Sequence, residues 1–191
     1  PASMHIHGVQ ADDITISAEE TLHLYFQDHE NQIYFCSSGT EALYAGLYGL
    51  WTQGKYKIIS TKIEHSSIQD TLKLLSALGS KPISLLSVNT EGMVDLKKKK
   101  KEAAEGPVPI FIYSPINHET GSLQPIQDIY KVIQSAGGLV LIDGVQATAR
   151  LEADTWVPYC DIFTFSGHKI YGPKGIGVLS VKESIDLVPF R

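Results

Sequence analysis

The sequence predicts an α/β fold with a mostly parallel seven-stranded sheet and helices on both faces. Short, continuously apolar runs alternate with longer amphipathic ones, the pattern of a parallel sheet covered on both sides. The 191 residues lie within the range of one domain and can bury a sizeable core. No internal repeat is visible, and no Pro/Ser-rich linker marks a second domain.

The elements follow in order. Residues 32–36 read as a strand and 40–51 as a helix, with apolar Ala42, Leu43, Ala45, Leu47 and Leu50. A strand over 56–60 leads to a helix over 66–78, ended by Gly79. A strand over 83–88 precedes a helix over 96–104, and a strand over 109–113 precedes a helix over 126–136 ended by Gly137 and Gly138. Further strands are expected over 139–143, 161–165 and 175–181. No helix separates the last two, which leaves the final strand free to run antiparallel.

Composition narrows the function classes. A hydrophobic content of 43%, with 19% charged residues, reads as soluble and globular. The formal net charge of -5 argues against nucleic acid as the main partner. Lys97 to Lys101 form a lysine run with Glu102 and Glu105 behind it, read as a solvated helix face rather than an anion or partner patch. Cys36 and Cys160 have no metal-ligand spacing, so no metal site and no disulfide framework are expected, which fits a reducing compartment. The opening residues have no apolar core or cleavage pattern of a signal peptide, and no apolar run approaches the roughly 18 residues of a membrane span. A cytoplasmic protein is the expectation.

In an open α/β sheet, ligands bind outside the carboxyl ends of the strands. Several chemically capable residues are expected there. Gly39 and Thr40 open a helix after the first strand, where backbone N–H groups form an anion site and glycine allows close approach. His65 follows the second strand, and Asp143 ends the fifth, with Gln146 three residues on. Ser166, His168 and Lys169 follow the sixth. Each has an ordinary reading: a helix cap, a helix-start histidine, a turn aspartate, a solvated lysine. Together they match the needs of pyridoxal 5'-phosphate. Lys169 offers the amine that condenses with its aldehyde, Asp143 the carboxylate that keeps the ring nitrogen protonated, and Ser166 and His168 donors for its phosphate. Asp143, buried, needs a cationic partner, and a protonated pyridine nitrogen would serve.

These segments resemble the cysteine desulfurases, in the class V branch of the fold-type-I pyridoxal-phosphate enzymes. The matching stretches are Ser37-Ser38-Gly39-Thr40-Glu41, Thr61-Lys62-Ile63-Glu64-His65, Asn117-His118-Glu119-Thr120-Gly121, Asp143-Gly144-Val145-Gln146 and Ser166-Gly167-His168-Lys169-Ile170-Tyr171-Gly172-Pro173-Lys174-Gly175. Pro1-Ala2-Ser3-Met4-His5-Ile6-His7-Gly8 is similar to the family's opening. The order matches and covers nearly all of the chain.

The resemblance implies one pyridoxal-phosphate-binding large domain over 1–191, a homodimer, and covalent attachment at Lys169. It implies that Gly39, Thr40, Ser166 and His168 bind phosphate, that His65 stacks on the ring, that Asp143 pairs with its nitrogen and that Gln146 bonds its phenolic oxygen. Lys169, His65 and Asp143 are the implied catalytic residues. The family often carries Asn-Asn-Glu-x-Gly, its second Asn close to the phenolic oxygen. Here His118 stands at that place with Asn117 before it, and both are candidate contacts. The family's smaller C-terminal domain, with its catalytic cysteine, would lie beyond Arg191, and Cys36 and Cys160 are expected to be inert core thiols.

The implied activity is removal of sulfur from L-cysteine or a related amino acid, giving alanine through an enzyme persulfide, with a sulfur-acceptor protein as partner. That would place the chain in sulfur metabolism and iron–sulfur cluster assembly. Two rival readings stand beside it: another class V enzyme (a cysteine, cystine or selenocysteine lyase, or an aminotransferase), and a non-catalytic module that retains the fold.

Overall fold

The computed structural model describes residues 5–79, 82–95, 100 and 103–188. Its elements in chain order are α1 (Ile6–Phe26), β1 (Asn31–Cys36), α2 (Gly39–Trp51), β2 (Tyr56–Thr61), α3 (Ser66–Leu78) and β3 (Ile83–Leu86). Then come β4 (Val108–Tyr113), α4 (Ile126–Gln134), β5 (Leu139–Asp143), β6 (Ile162–Ser166) and β7 (Gly177–Lys182). The strands form one seven-stranded sheet in the order β1-β7-β6-β5-β4-β2-β3. The pairs from β3 to β6 are parallel, and β7 is antiparallel to both β6 and β1. The reversal at β7 has a local cause. Only a single 3-10 turn, Gly167–Ile170, and a short loop join β6 to β7, too little chain for a crossover helix.

Alternation along each strand divides the core between the two faces. On β4, Ile110 and Ile112 face the side covered by α2 and α3, packing with Leu43, Leu47, Ile68 and Leu141. Phe111 and Tyr113 face the α4 side, with Ile129, Val140, Trp156 and Phe163. Each buried Ile, Leu or Phe contributes about 1.5–3 kcal/mol. With both faces committed, a one-residue slip of any central strand would exchange its two apolar sets, so the register is fixed.

At the opposite end of the strands from the predicted site, Asp161 ties β5, β7 and α4 together. It accepts from Val140 N–H at 2.8 Å, Gln134 Nε2 at 2.9 Å and Lys182 Nζ at 2.8 Å.

Most elements lie within one or two residues of the sequence expectation. The strand expected over 83–88 stops at Leu86. Asn89 gathers a turn there, its Oδ1 accepting from the Glu91 and Met93 N–H groups, and Val88 makes an isolated bridge to Val94. The helix over 126–136 stops at Gln134, before Gly137 with φ 68°. The helix over 96–104 and the lysine run fall largely outside the described residues, as do the first four residues of the opening motif.

Helix α1 is an addition to the expected elements. Its apolar residues form no buried stripe. Only Gly8 and Phe26 are buried, while Ile6, Val9, Ile14, Ile16 and Leu24 are exposed. The helix is capped by His5, whose Nδ1 accepts from Gly8 N–H at 3.1 Å. Phe26 anchors its other end, with its ring centroid 4.8 Å from that of Phe163 and 5.9 Å from that of Trp156.

Candidate active site

A cavity of about 240 Å³ opens at the carboxyl ends of the parallel strands. Gly39, Thr40, His65, His118, Asp143, Gln146, Ser166, His168 and Lys169 line it, together with Ser67, Ser114 and Val145.

One wall is the start of α2. The Ser38 Oγ accepts from Glu41 N–H at 3.1 Å, and Glu41 reaches back to the N–H and hydroxyl of Ser37, each at 2.6 Å. This reciprocal cap fixes the turn that leaves β1. Gly39 N–H donates to Ser166 Oγ at 3.0 Å, bringing the helix start against the end of β6. A Cβ on Gly39 would lie 2.4 Å from that oxygen, so a side chain there would displace the Ser166 hydroxyl from this bond. Because Ser166 Oγ accepts from Gly39, its own proton is free to be given to a ligand. The helix start with the Thr40 and Ser166 hydroxyls can therefore receive an anion.

Asp143 is only 5% exposed. Its Oδ1 accepts from Val145 N–H at 3.1 Å, and its Oδ2 lies 3.5 Å from Ser67 Oγ. Among the described residues no lysine or arginine forms an ion pair with it. Burial raises its carboxyl above the ordinary value. The Val145 N–H and the nearby His65 and His118 act in the other direction without cancelling the rise. A buried carboxylate short of a cation suits a ligand that brings one.

His65 is the N-cap of α3, with Nδ1 accepting from Ser67 N–H at 3.1 Å. Its ring centroid is 4.8 Å from that of His118, edge to face. Beneath it lies Glu64, also 5% exposed. Glu64 accepts from Thr61 Oγ1 at 2.6 Å and from Ser114 N–H at 2.9 Å, joining the ends of β2 and β4. Burial pushes its carboxyl up to about 7, against those two hydrogen bonds.

Asn117 departs from the expectation: it does not line the cavity. Its Nδ2 donates to Ile63 O at 2.8 Å, while its Oδ1 accepts from the Glu119 and Thr120 N–H groups and the Thr120 hydroxyl. The amide oxygen shapes its own loop and the amide nitrogen ties that loop to the one after β2, and His118 is the member of the pair that faces the cavity.

Lys169 sits in the 3-10 turn after β6. Gly172 N–H closes that turn onto Gly167 O at 2.9 Å, and Gly167 N–H donates to Ile176 O at 2.9 Å. The Lys169 amine has no hydrogen bond or ion pair among the described residues. The cavity can thus bind an anion at the α2 start, balance a cation at Asp143 and present an amine nucleophile from Lys169. Sequence reasoning missed Ser67, Ser114 and Glu64 as parts of this corner. Glu64 and Ser67 flank His65 in the sequence, but nothing in their spacing shows that they face inward.

A seven-stranded sheet of this topology, with a lysine after β6 and an aspartate ending β5, defines a class, and the chain belongs to the class-V aminotransferase family, which it matches over residues 2–188. Within that family it is similar to the cysteine desulfurase of Nostoc sp., at 32% identity over 191 residues, covering 99% of this chain and 47% of that protein. It superposes on the structure of a NifS-like protein with a TM-score of 0.91 and 27% identity, over 100% of this chain and 53% of the other. It likewise superposes on SspA in complex with cysteine, with a TM-score of 0.87 and 26% identity, over 100% of this chain and 56% of the other. The chain therefore spans about half the length of the curated relatives it matches. Among the described residues no helix is long and apolar enough to cross a membrane.

Proposed function

We propose that this chain is the pyridoxal-phosphate-binding part of a cysteine desulfurase, which takes sulfur from L-cysteine and leaves alanine. The observation that carries the reading is the convergence of three features in one cavity: the Lys169 amine and the buried Asp143 carboxylate, neither with an ion-pair partner among the described residues, and the Gly39–Ser166 approach at the start of α2. This donor set fits the cofactor. The helix start with Thr40, Ser166 and His168 would hold its phosphate, Asp143 would hold its protonated ring nitrogen, and Lys169 would hold its aldehyde carbon. His118 and Gln146 are the groups for the phenolic oxygen, and His65 is the aromatic wall beside the ring.

When bound, the cofactor supplies the electron sink for chemistry at the substrate Cα. The chain's own residues do the rest. Lys169 would hold the cofactor through its amine and, once that amine is free, would carry a proton to and from the substrate. Asp143 would keep the proton on the ring nitrogen. That SspA, a structural relative, has been solved with cysteine supports the substrate class. The exposed apolar residues of α1, among them Ile6 and Ile14, support a homodimer.

Neither thiol suits the role of sulfur acceptor. Burial raises the thiol of Cys160 far above its ordinary value, and burial followed by Glu41 raises that of half-buried Cys36. Both disfavour the thiolate. Sulfur would pass to a cysteine outside these residues, so this chain alone should not release sulfide from cysteine catalytically. Turnover at enzyme-like rates, or a persulfide trapped on Cys36 or Cys160, would contradict that division of labour.

The direct test is to load the purified chain with pyridoxal phosphate, reduce with borohydride and map the peptides. A pyridoxyl group on Lys169 is expected. An adduct on Lys174, or none at all, would refute the assignment.

A further inference from the structure

Ser67 stands between two of the cavity's working groups. Its backbone N–H donates to His65 Nδ1 at 3.1 Å. An imidazole nitrogen that accepts a backbone N–H carries no proton of its own, so these donors assign the ring proton to Nε2. The Ser67 hydroxyl lies 2.8 Å from that same Nδ1 and 3.5 Å from Asp143 Oδ2. A hydroxyl has one proton, and here two acceptors compete for it. The imidazole nitrogen is the closer and holds the larger share of the proton, while the carboxylate pulls against it from the longer distance. A cation at Asp143 would weaken that pull and strengthen the bond to the imidazole.

We propose that Ser67 is a positioning residue that makes His65 and Asp143 one hydrogen-bonded unit. Its backbone fixes the His65 tautomer, and its hydroxyl passes a change of charge at Asp143 on to the His65 ring. This rests on reading the cavity as a pyridoxal-phosphate site, because the cation is the ring nitrogen. The unit accounts for a serine hydroxyl held at the cavity wall beside the residue that caps α3. It also gives the ring-facing histidine a means of responding to cofactor.

The test uses protein with ¹⁵N-labelled histidine, in the unsubstituted form and as Ser67→Ala and Ser67→Thr. Every variant keeps the backbone donor, so circular dichroism should show the fold unchanged. The His65 signals are assigned by their loss in His65→Asn. Without cofactor, His65 should show an unprotonated Nδ1 and a protonated Nε2. Ser67→Ala should move the Nδ1 resonance, and Ser67→Thr should restore it. On adding pyridoxal phosphate, the Nδ1 resonance should respond in the unsubstituted and Thr forms and respond far less in Ser67→Ala. The cofactor dissociation constant should rise about three- to tenfold in Ser67→Ala, the weight of one shared hydrogen bond, and recover in Ser67→Thr.

A protonated Nδ1, or an Nδ1 resonance indifferent to Ser67→Ala, overturns the proposal. So does an equal cofactor response in the Ala form. If the cofactor-free spectra behave as expected but no pyridoxyl group forms on Lys169, the hydrogen-bonded unit stands and the functional reading falls. If the adduct forms and Ser67→Ala changes nothing, the reverse holds.

Discussion

Replacing Asp143 by asparagine should act in opposite directions on the cofactor-free and cofactor-loaded protein. Burial is the largest influence on this carboxyl and raises it above its ordinary value. A carboxyl whose folded-state value exceeds its unfolded one costs the fold stability at high pH. That cost shrinks as the pH falls and is gone below the unfolded value. The Asp143→Asn side chain keeps an acceptor for Val145 N–H, now 3.1 Å from Oδ1, and brings a donor toward Ser67 Oγ, now 3.5 Å from Oδ2. Without cofactor it should therefore stabilise the protein at neutral pH by on the order of 1 kcal/mol, or about 2–4 °C in Tm at this size. The gain should fade as the pH drops into the ordinary carboxylate range. With cofactor the sign reverses. A charge-assisted bond to the ring nitrogen, worth about 1.5–3 kcal/mol, is lost, so the dissociation constant rises about 10- to 100-fold. In the full-length enzyme turnover should fall further, by about 10²–10³-fold, because the carboxylate matters most as carbanion charge develops. Thermal melts with and without pyridoxal phosphate, at neutral and acid pH, measure both arms. A variant less stable than the parent without cofactor, or one that binds cofactor as tightly, would refute the role given to Asp143.

Three further outcomes are expected. Gly39→Ala places a Cβ 2.4 Å from Ser166 Oγ and 3.3 Å from the Phe165 carbonyl, so the Ser166 hydroxyl must turn from the Gly39 N–H or the helix start must move. Stability should fall by about 1–3 kcal/mol and cofactor affinity at least tenfold, read by thermal melts and absorbance titration. Glu64, held up to about 7 by burial, should make the fold lose stability as pH rises from its ordinary value of 4.5 through neutrality, by on the order of 3 kcal/mol. Glu64→Gln should flatten that slope in denaturant melts across the range, and an unchanged slope would assign it to other groups. His118→Asn should shift the pH midpoint of the bound cofactor's visible band, because in the proposed contact with the phenolic oxygen a histidine can gain a charge where asparagine cannot. An unchanged spectrum over a full titration would remove His118 from the contact.

Much of the candidate site could be read from sequence because its residues fall at strand ends. Once 139–143 is a buried parallel strand, Asp143 has to sit at the carboxyl edge. The same logic carries Gly39 and Thr40 after β1, His65 after β2 and Lys169 after β6. Asn117 and His118 show the limit. Adjacent residues in a loop point in different directions, and only the bonds that Asn117 donates to Ile63 O and accepts from the Glu119 and Thr120 N–H groups decide which of the two faces the cavity. Ser67 lay beyond reach for a similar reason, because its role depends on where β5 ends relative to the first turn of α3.

The strands, the covering helices and the reversal at β7 belong to the sequence itself. Continuous apolar runs, helical periodicity and the short link between β6 and β7 are local properties, and each has one economical structure. Tertiary structure decided what local pattern cannot carry. It placed β2 between β4 and β3 and put β1 at the antiparallel edge beyond β7, choices made by which apolar faces meet. It also made a helix of Ile6–Phe26, whose apolar residues trace no stripe and whose main buried anchor is the Phe26 ring against Trp156 and Phe163. A long-range contact of that kind joins residues more than 100 positions apart, and periodicity within one segment contains no trace of it.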